Sequence, residues 1–135
     1  MSDPVTPPGH FGWNELYTPD TEAARAFYSG VFGWSVDEME MGEGATYHMF
    51  KQGDAMVGGM LELNDQMPGA QPGWMGYINV ADLEETMGKV TECGGTVVMG
   101  PHQVGEMGKM AVILDPGGAV FSLWQSLGKP ECPES

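Results

Sequence analysis

The side chains able to hold a metal or move a proton are few and scattered. The chain has three histidines, His10, His48 and His102, and two cysteines, Cys93 and Cys132. No two histidines stand at the i, i+4 spacing of a helical pair or the i, i+2 spacing of a strand pair, so a local histidine pair is excluded. Cys93 falls on an expected helix and Cys132 in a Pro-rich tail, without metal-ligand spacing, and both read as reduced bystanders. Neither a Ser/His/Asp nor a Cys/His nucleophile pattern is visible, and no phosphate-binding glycine loop follows a strand. The glycine-rich runs "VGGM" and "DPGGA" lie within or between strands, where they serve turns and close packing. Twelve methionines, spread over expected strands and loops, read as adaptable packing more than as a copper site.

Composition narrows the function classes further. At 135 residues, with 41% hydrophobic and 18% charged residues, the chain suits a globular domain with a real core. Nineteen acidic residues against five basic ones give a net charge of -14. That excludes nucleic acid and anionic membrane as partners, because both need a cationic face to displace counterions. It suits solubility or a salty setting, and it can also steer a cationic ligand. The start, "MSDPVTPPGH", has no basic n-region or apolar core, and no apolar run approaches the ~20 residues of a bilayer span. A soluble, cytoplasmic protein is expected.

The elements that must position any site follow from local patterning. Residues 1–9 and 127–135 read as frayed tails around one domain over 10–126. "FGWNELYT" suits a strand, and "TPDTEAARAFYSGVFG" a helix with Thr18 as N-cap, Pro19 at its first position and Gly33 at its end. Ala24, Phe27, Tyr28, Val31 and Phe32 are expected to form its buried stripe. "WSVDEME", "TYHMFKQ" and "AMVGGMLEL" are three more strands, turned at Gly42–Gly44 and Gly53-Asp54. After the loop "NDQMPGAQPG" the order repeats. "WMGYINV" is a strand, and Asp82 caps the helix "LEETMGKVTEC", with Glu85 completing a capping box and Leu83, Met87 and Val90 forming the stripe. "TVVMGPHQ", "KMAVILDPGG" and "AVFSLWQS" close the chain.

Asp20 matches Asp82 and Val36 matches Val98, both 62 apart (82 − 20 and 98 − 36). Gly12-Trp13 and Gly73-Trp74 are only 61 apart, so one strand carries a single-residue adjustment. The expected fold class is α+β: two βαβββ units, 10–64 and 73–126, forming a cupped mixed sheet around a cavity.

The segments "ELYTPDTEAARAFYSGVFGW", "YINVADLEETMGKVTECGG" and "DPGGAVFSLWQ" resemble the vicinal oxygen chelate superfamily, which groups glyoxalases, bleomycin-resistance proteins and extradiol dioxygenases. The resemblance covers residues 10 to 126. It implies a homodimer and a divalent metal held by four His, Gln or Glu side chains from the first and last strands of each unit. Carried over residue by residue, the four positions fall on Trp13, Met75, Ser122 and a residue within Gly58 to Leu61. None offers a carboxylate or imidazole, so the usual metal is expected to be absent and no other cofactor is implied.

Strand alternation then suggests what replaces it. Glu15 and Tyr17 share a face with Trp13, Tyr77 and Asn79 with Met75, and Val120 and Trp124 with Ser122. Tyr47 and Met49 share one face of their strand and His48 and Phe50 the other, with the inward face undecided. The expected ligand site is therefore Trp13, Glu15, Tyr17, Tyr47, Met75, Tyr77, Ser122 and Trp124, for a small aromatic or cationic organic molecule. The plainer alternative is that these side chains are core. Two further possibilities are metal-dependent lyase, isomerase or dioxygenase chemistry on Glu15, His48 or Glu62, and sequestration of a bleomycin-type antibiotic.

Overall fold

The computed structural model describes residues 7–40, 46–63, 71–104 and 106–127. Along the chain run β1 (Phe11–Thr18), α1 (Thr21–Phe32), β2 (Ser35–Glu40), β3 (Thr46–Gln52), β4 (Ala55–Glu62) and β5 (Gly73–Asn79). Then follow α2 (Leu83–Glu92), β6 (Thr96–Val104), β7 (Gly108–Leu114) and β8 (Val120–Ser126). This is the expected α+β order, βαβββ twice. The expected turn at Gly42–Gly44 and Cys132 lie outside the described residues.

The chain forms two compact units, Trp13–Met75 and Met1–Gly12 with Gly76–Ser135. Strand order is β2-β3-β4-β1 for the first repeat and β5-β8-β7-β6 for the second. In each repeat the first and last strands run parallel, Glu15 opposite Gly59 and Tyr77 opposite Ser122, while the remaining neighbours are antiparallel. Each parallel pair is reached through a crossover that contains the helix, as parallel pairing requires.

The helix starts follow one design. Asp20 and Asp82 are extended, and their Oδ1 atoms accept from the backbone N–H groups of Ala23 and Glu85, each at 3.0 Å. Thr18 and Pro19 therefore stand before the first cap. Thr18 Oγ1 accepts from the N–H of Asp20 at 3.2 Å, which fixes the entry to the helix without capping it. Glu85 directs its carboxylate to Lys89, 3.9 Å away. Gly33 ends α1 at φ 78°, in the left-handed region that suits glycine, and donates to the carbonyl of Ser29.

In the Trp13–Met75 unit, Leu16, Phe50 and Met60 form the buried centre, covered by Ala24, Tyr28, Trp34, Val36 and Val57. Fully burying side chains such as Phe50 and Met60 stabilises by about 1.5–3 kcal/mol each. The α1 stripe is narrower than expected. Ala24 and Tyr28 pack on the core, but Phe27, Val31 and Phe32 are 58%, 56% and 52% exposed. The helix touches the sheet along one line of residues, and the flanking positions of the broad apolar stripe turn away from it. In the second unit Leu83, Ala111, Ile113 and Leu123 form the centre, with Met87 and Val90 packed against it as the α2 pattern implied.

Candidate functional site

The strand registers decide which side chains share the sheet face opposite α1. Leu16, Phe50 and Met60 point toward the helix, so the alternate residues Glu15, Met49 and Gly59 point the other way. Tyr47 and Met49 therefore share the face of Glu15, which resolves the orientation of β3. His48 lies on the helix side, where its Nδ1 is 3.6 Å from Glu38 Oε2, and Arg25 of α1 approaches the same oxygen at 3.5 Å. An acid–base pair of His48 with Glu15 is thus ruled out, because the two occupy opposite faces. Glu62 pairs in register with Thr18, is exposed, and falls on the alternate face from Glu15.

Four expected site residues do converge. Trp13 donates from Nε1 to the Tyr47 hydroxyl at 2.7 Å, and Tyr17 donates from its hydroxyl to Glu15 Oε1 at 3.2 Å. Tyr47 also hydrogen-bonds the Glu15 side chain. Glu15 is only 6% exposed, so its carboxylate depends on these hydroxyl donors in place of water. Burial pushes the Tyr47 hydroxyl far above its ordinary range, and the negative charge of Glu15 adds to the effect, while the Trp13 hydrogen bond partly opposes it. Tyr47 consequently keeps its proton and acts as a donor, not as a base.

The registers also place the fourth family position. Glu15 is the counterpart of Tyr77 (77 − 15 = 62), Tyr77 pairs with Ser122, and Glu15 pairs with Gly59. Gly59 is therefore the counterpart of Ser122. A Cβ on Gly59 would run into the Tyr47 hydroxyl, so the phenol fills the space that a side chain would need there. The donor set at the four positions, an indole, no side chain, a thioether and a hydroxyl, does not fit a hard divalent ion. Among the described residues no three His, Cys, Asp or Glu side chains gather as a metal site.

In the second unit Tyr77 and Trp124 meet edge to face, with centroids 6.5 Å apart, beside Ser122. Trp124 lies over Gly108, where a Cβ would collide with its ring. Ser122 is fully buried, and its hydroxyl has no hydrogen-bond partner among the described residues. Met75 is half-buried on β5. Its neighbour Trp74 shows why the Gly-Trp pairs are spaced 61 apart. Trp74 turns to the helix side and donates to the Tyr28 hydroxyl at 3.0 Å, whereas Trp13 turns to Tyr47. A one-residue shift along a strand exchanges faces, so the two tryptophans are not equivalent. Sequence reasoning missed the part played by Gly59, whose signal was the absence of any side chain at a position facing Tyr47.

A βαβββ order repeated twice, with the first and last strands of each repeat running parallel, defines the class. Residues 8–123 match the Glyoxalase/Bleomycin resistance protein/Dioxygenase superfamily, and the chain belongs to that superfamily. It is 40% identical over 119 residues to CFP32 of Mycobacterium tuberculosis, a candidate glyoxylase, covering 88% of this chain and 45% of the relative. It is 29% identical to the anthracycline biosynthesis protein DauV of a Streptomyces species, covering 87% and 47%. The chain thus spans about half the length of the curated relatives it matches. Methylmalonyl-CoA epimerase from Mycobacterium tuberculosis, named for a CoA ester, shares the fold at a TM-score of 0.58 and 15% identity, over 93% of this chain and 94% of that one. No helix of the described residues is long and apolar enough to cross a membrane.

Proposed function

We propose that this protein binds a small organic molecule, with the superfamily's metal chelate replaced by the Trp13–Tyr47–Glu15 cluster. The observation that carries the reading is the Tyr47 hydroxyl, which occupies the side-chain space at Gly59 while accepting from Trp13. Indole and phenol faces suit a flat aromatic ligand, and the buried Glu15 carboxylate suits a hydrogen-bond donor or cation on it. In the second unit Tyr77 and Trp124 meet beside Ser122, whose buried hydroxyl has no hydrogen-bond partner among the described residues. The relative named for anthracycline biosynthesis supports an aromatic ligand, and the net charge of -14 supports sequestration of a cationic one. We further read the protein as a cytoplasmic homodimer, a state supported by relatives about twice its length.

Elemental analysis of protein purified without chelator or affinity tag tests the reading. Zn, Ni, Fe and Mn are expected well below one per chain. A stoichiometric metal that disappears on Glu15→Gln would overturn it. Light scattering in solution gives the oligomeric state, for which twice the 14.5 kDa chain mass is expected.

A further inference from the structure

Beside the Glu15 cluster, on the outer strands of the same unit, lies an open groove of about 470 Å³ that none of the expected site residues lines. Its walls are Asp37, Glu38, Met39, Met49, Lys51, Asp54 and Met56. The volume falls within the range of small-molecule sites, roughly 300–1,000 Å³.

Two features of the lining point to one kind of occupant. The first is the thioethers. Met49 is buried, but Met39 and Met56 are 45% and 37% exposed, so the groove presents flexible, polarisable, apolar surface to water. Such side chains adapt to a flat ring and contact its edge favourably. The second is charge. Two carboxylates, Asp37 and Asp54, and the Lys51 ammonium belong to residues lining the groove, whereas Glu38 pairs in register with His48 and turns its carboxylate to the helix side. Lys51 is paired with Asp37 at 3.2 Å, and Glu38 is engaged by Arg25 from the helix side at 3.5 Å. Asp54, in the β3–β4 turn, makes no ion pair among the described residues. The groove therefore offers one carboxylate, Asp54, with no ion pair among the described residues, together with three thioethers.

We infer that this groove is a binding site for a flat organic monocation, its charge at Asp54 and its ring system on Met39, Met49 and Met56. The site does not depend on the reading of the Glu15 cluster, since it shares none of that cluster's residues. An anionic or strongly hydrated ligand is disfavoured by the carboxylates and the thioethers respectively.

Fluorescence titration with 9-aminoacridine, a planar cation at neutral pH, tests the site, with uncharged acridine as the comparison. Binding is expected for the cation and to be about twofold to fivefold weaker for acridine and for Asp54→Asn, the size of one exposed charge interaction. Met56→Ser, at an exposed position, should weaken the cation without unfolding the chain. Glu92→Gln, an exposed acid on α2, should leave the affinity unchanged. Equal weakening by Glu92→Gln and Asp54→Asn would mean diffuse attraction to an acidic protein and would overturn the site. So would equal affinity for acridine, or no binding of the cation. Loss on Glu15→Gln but not on Asp54→Asn would place the probe at the neighbouring cluster and overturn the groove assignment.

Discussion

Tyr47 does the most at the scale of single residues, because three neighbours depend on its hydroxyl. Trp13 donates to it, Glu15 shares its hydrogen bond, and Gly59 leaves the room for it. Replacing it with Phe leaves the Trp13 N–H without its acceptor and takes a donor from the buried Glu15 carboxylate. The expected loss is about 1–3 kcal/mol of unfolding free energy, measured by urea at pH 7. The same hydroxyl gives a pH signature. Its ordinary pKa is 10.0 and burial raises it in the folded state, so above pH 10 the unfolded chain gives up a proton that the folded chain keeps. Stability contributed by Tyr47 is then present below pH 10 and lost as pH rises past it, by up to about 1.4 kcal/mol per pH unit. Tyr47→Phe should flatten the alkaline limb relative to the parent protein. An unchanged slope would show that Tyr47 ionises in the folded state as it does in the unfolded one.

Elements were legible from sequence to the extent that one face and one terminus specified them. β1 and β3 have the expected bounds, Phe11–Thr18 and Thr46–Gln52, because turn residues and alternation mark both ends. The first helix starts two residues later than the Thr18-Pro19 signal implies, because Asp20 outcompetes Thr18 as the cap. Which face of β3 carries the site was not legible. "TYHMFKQ" is mixed on both sides, and only the packing of Phe50 beneath α1 decides that Tyr47 meets Glu15. The fourth family position was equally hidden, because its glycine becomes informative only once its strand register is known. The caps provide the test at this scale. Asp82 holds the N–H of Glu85, and α2 is tied to β7 by the Glu84–Lys109 contact at 3.0 Å, which also lowers the Glu84 carboxyl below its usual range. Asp82→Ala should cost about 1 kcal/mol by urea unfolding, as caps of this kind do. An effect within error would mean that packing of Leu83 alone starts the helix.

For the whole molecule the dominant physical fact is its charge, -14 on 135 residues. Opposite charges do meet, in Arg25–Glu38, Lys51–Asp37 and Lys109–Glu84, but five basic residues cannot compensate nineteen acidic ones. The described ion pairs are also exposed, and exposed pairs contribute about 0–1 kcal/mol each. Repulsion among the remaining carboxylates therefore opposes the compact state and outweighs these pairs. Salt weakens both, but the repulsive interactions are more numerous and of longer range. Raising ionic strength from 0.01 M to 1 M shortens the screening length from about 30 Å to about 3 Å, which removes most repulsion beyond contact distance. The thermal unfolding temperature in NaCl should accordingly rise over that range, by about 3–4 °C for each kcal/mol of repulsion relieved. Attraction of a cationic ligand should weaken over the same range, so affinity and stability are expected to move in opposite directions with salt. A melting temperature that falls as salt is added would mean that the ion pairs, not the excess carboxylates, dominate the electrostatics of the fold.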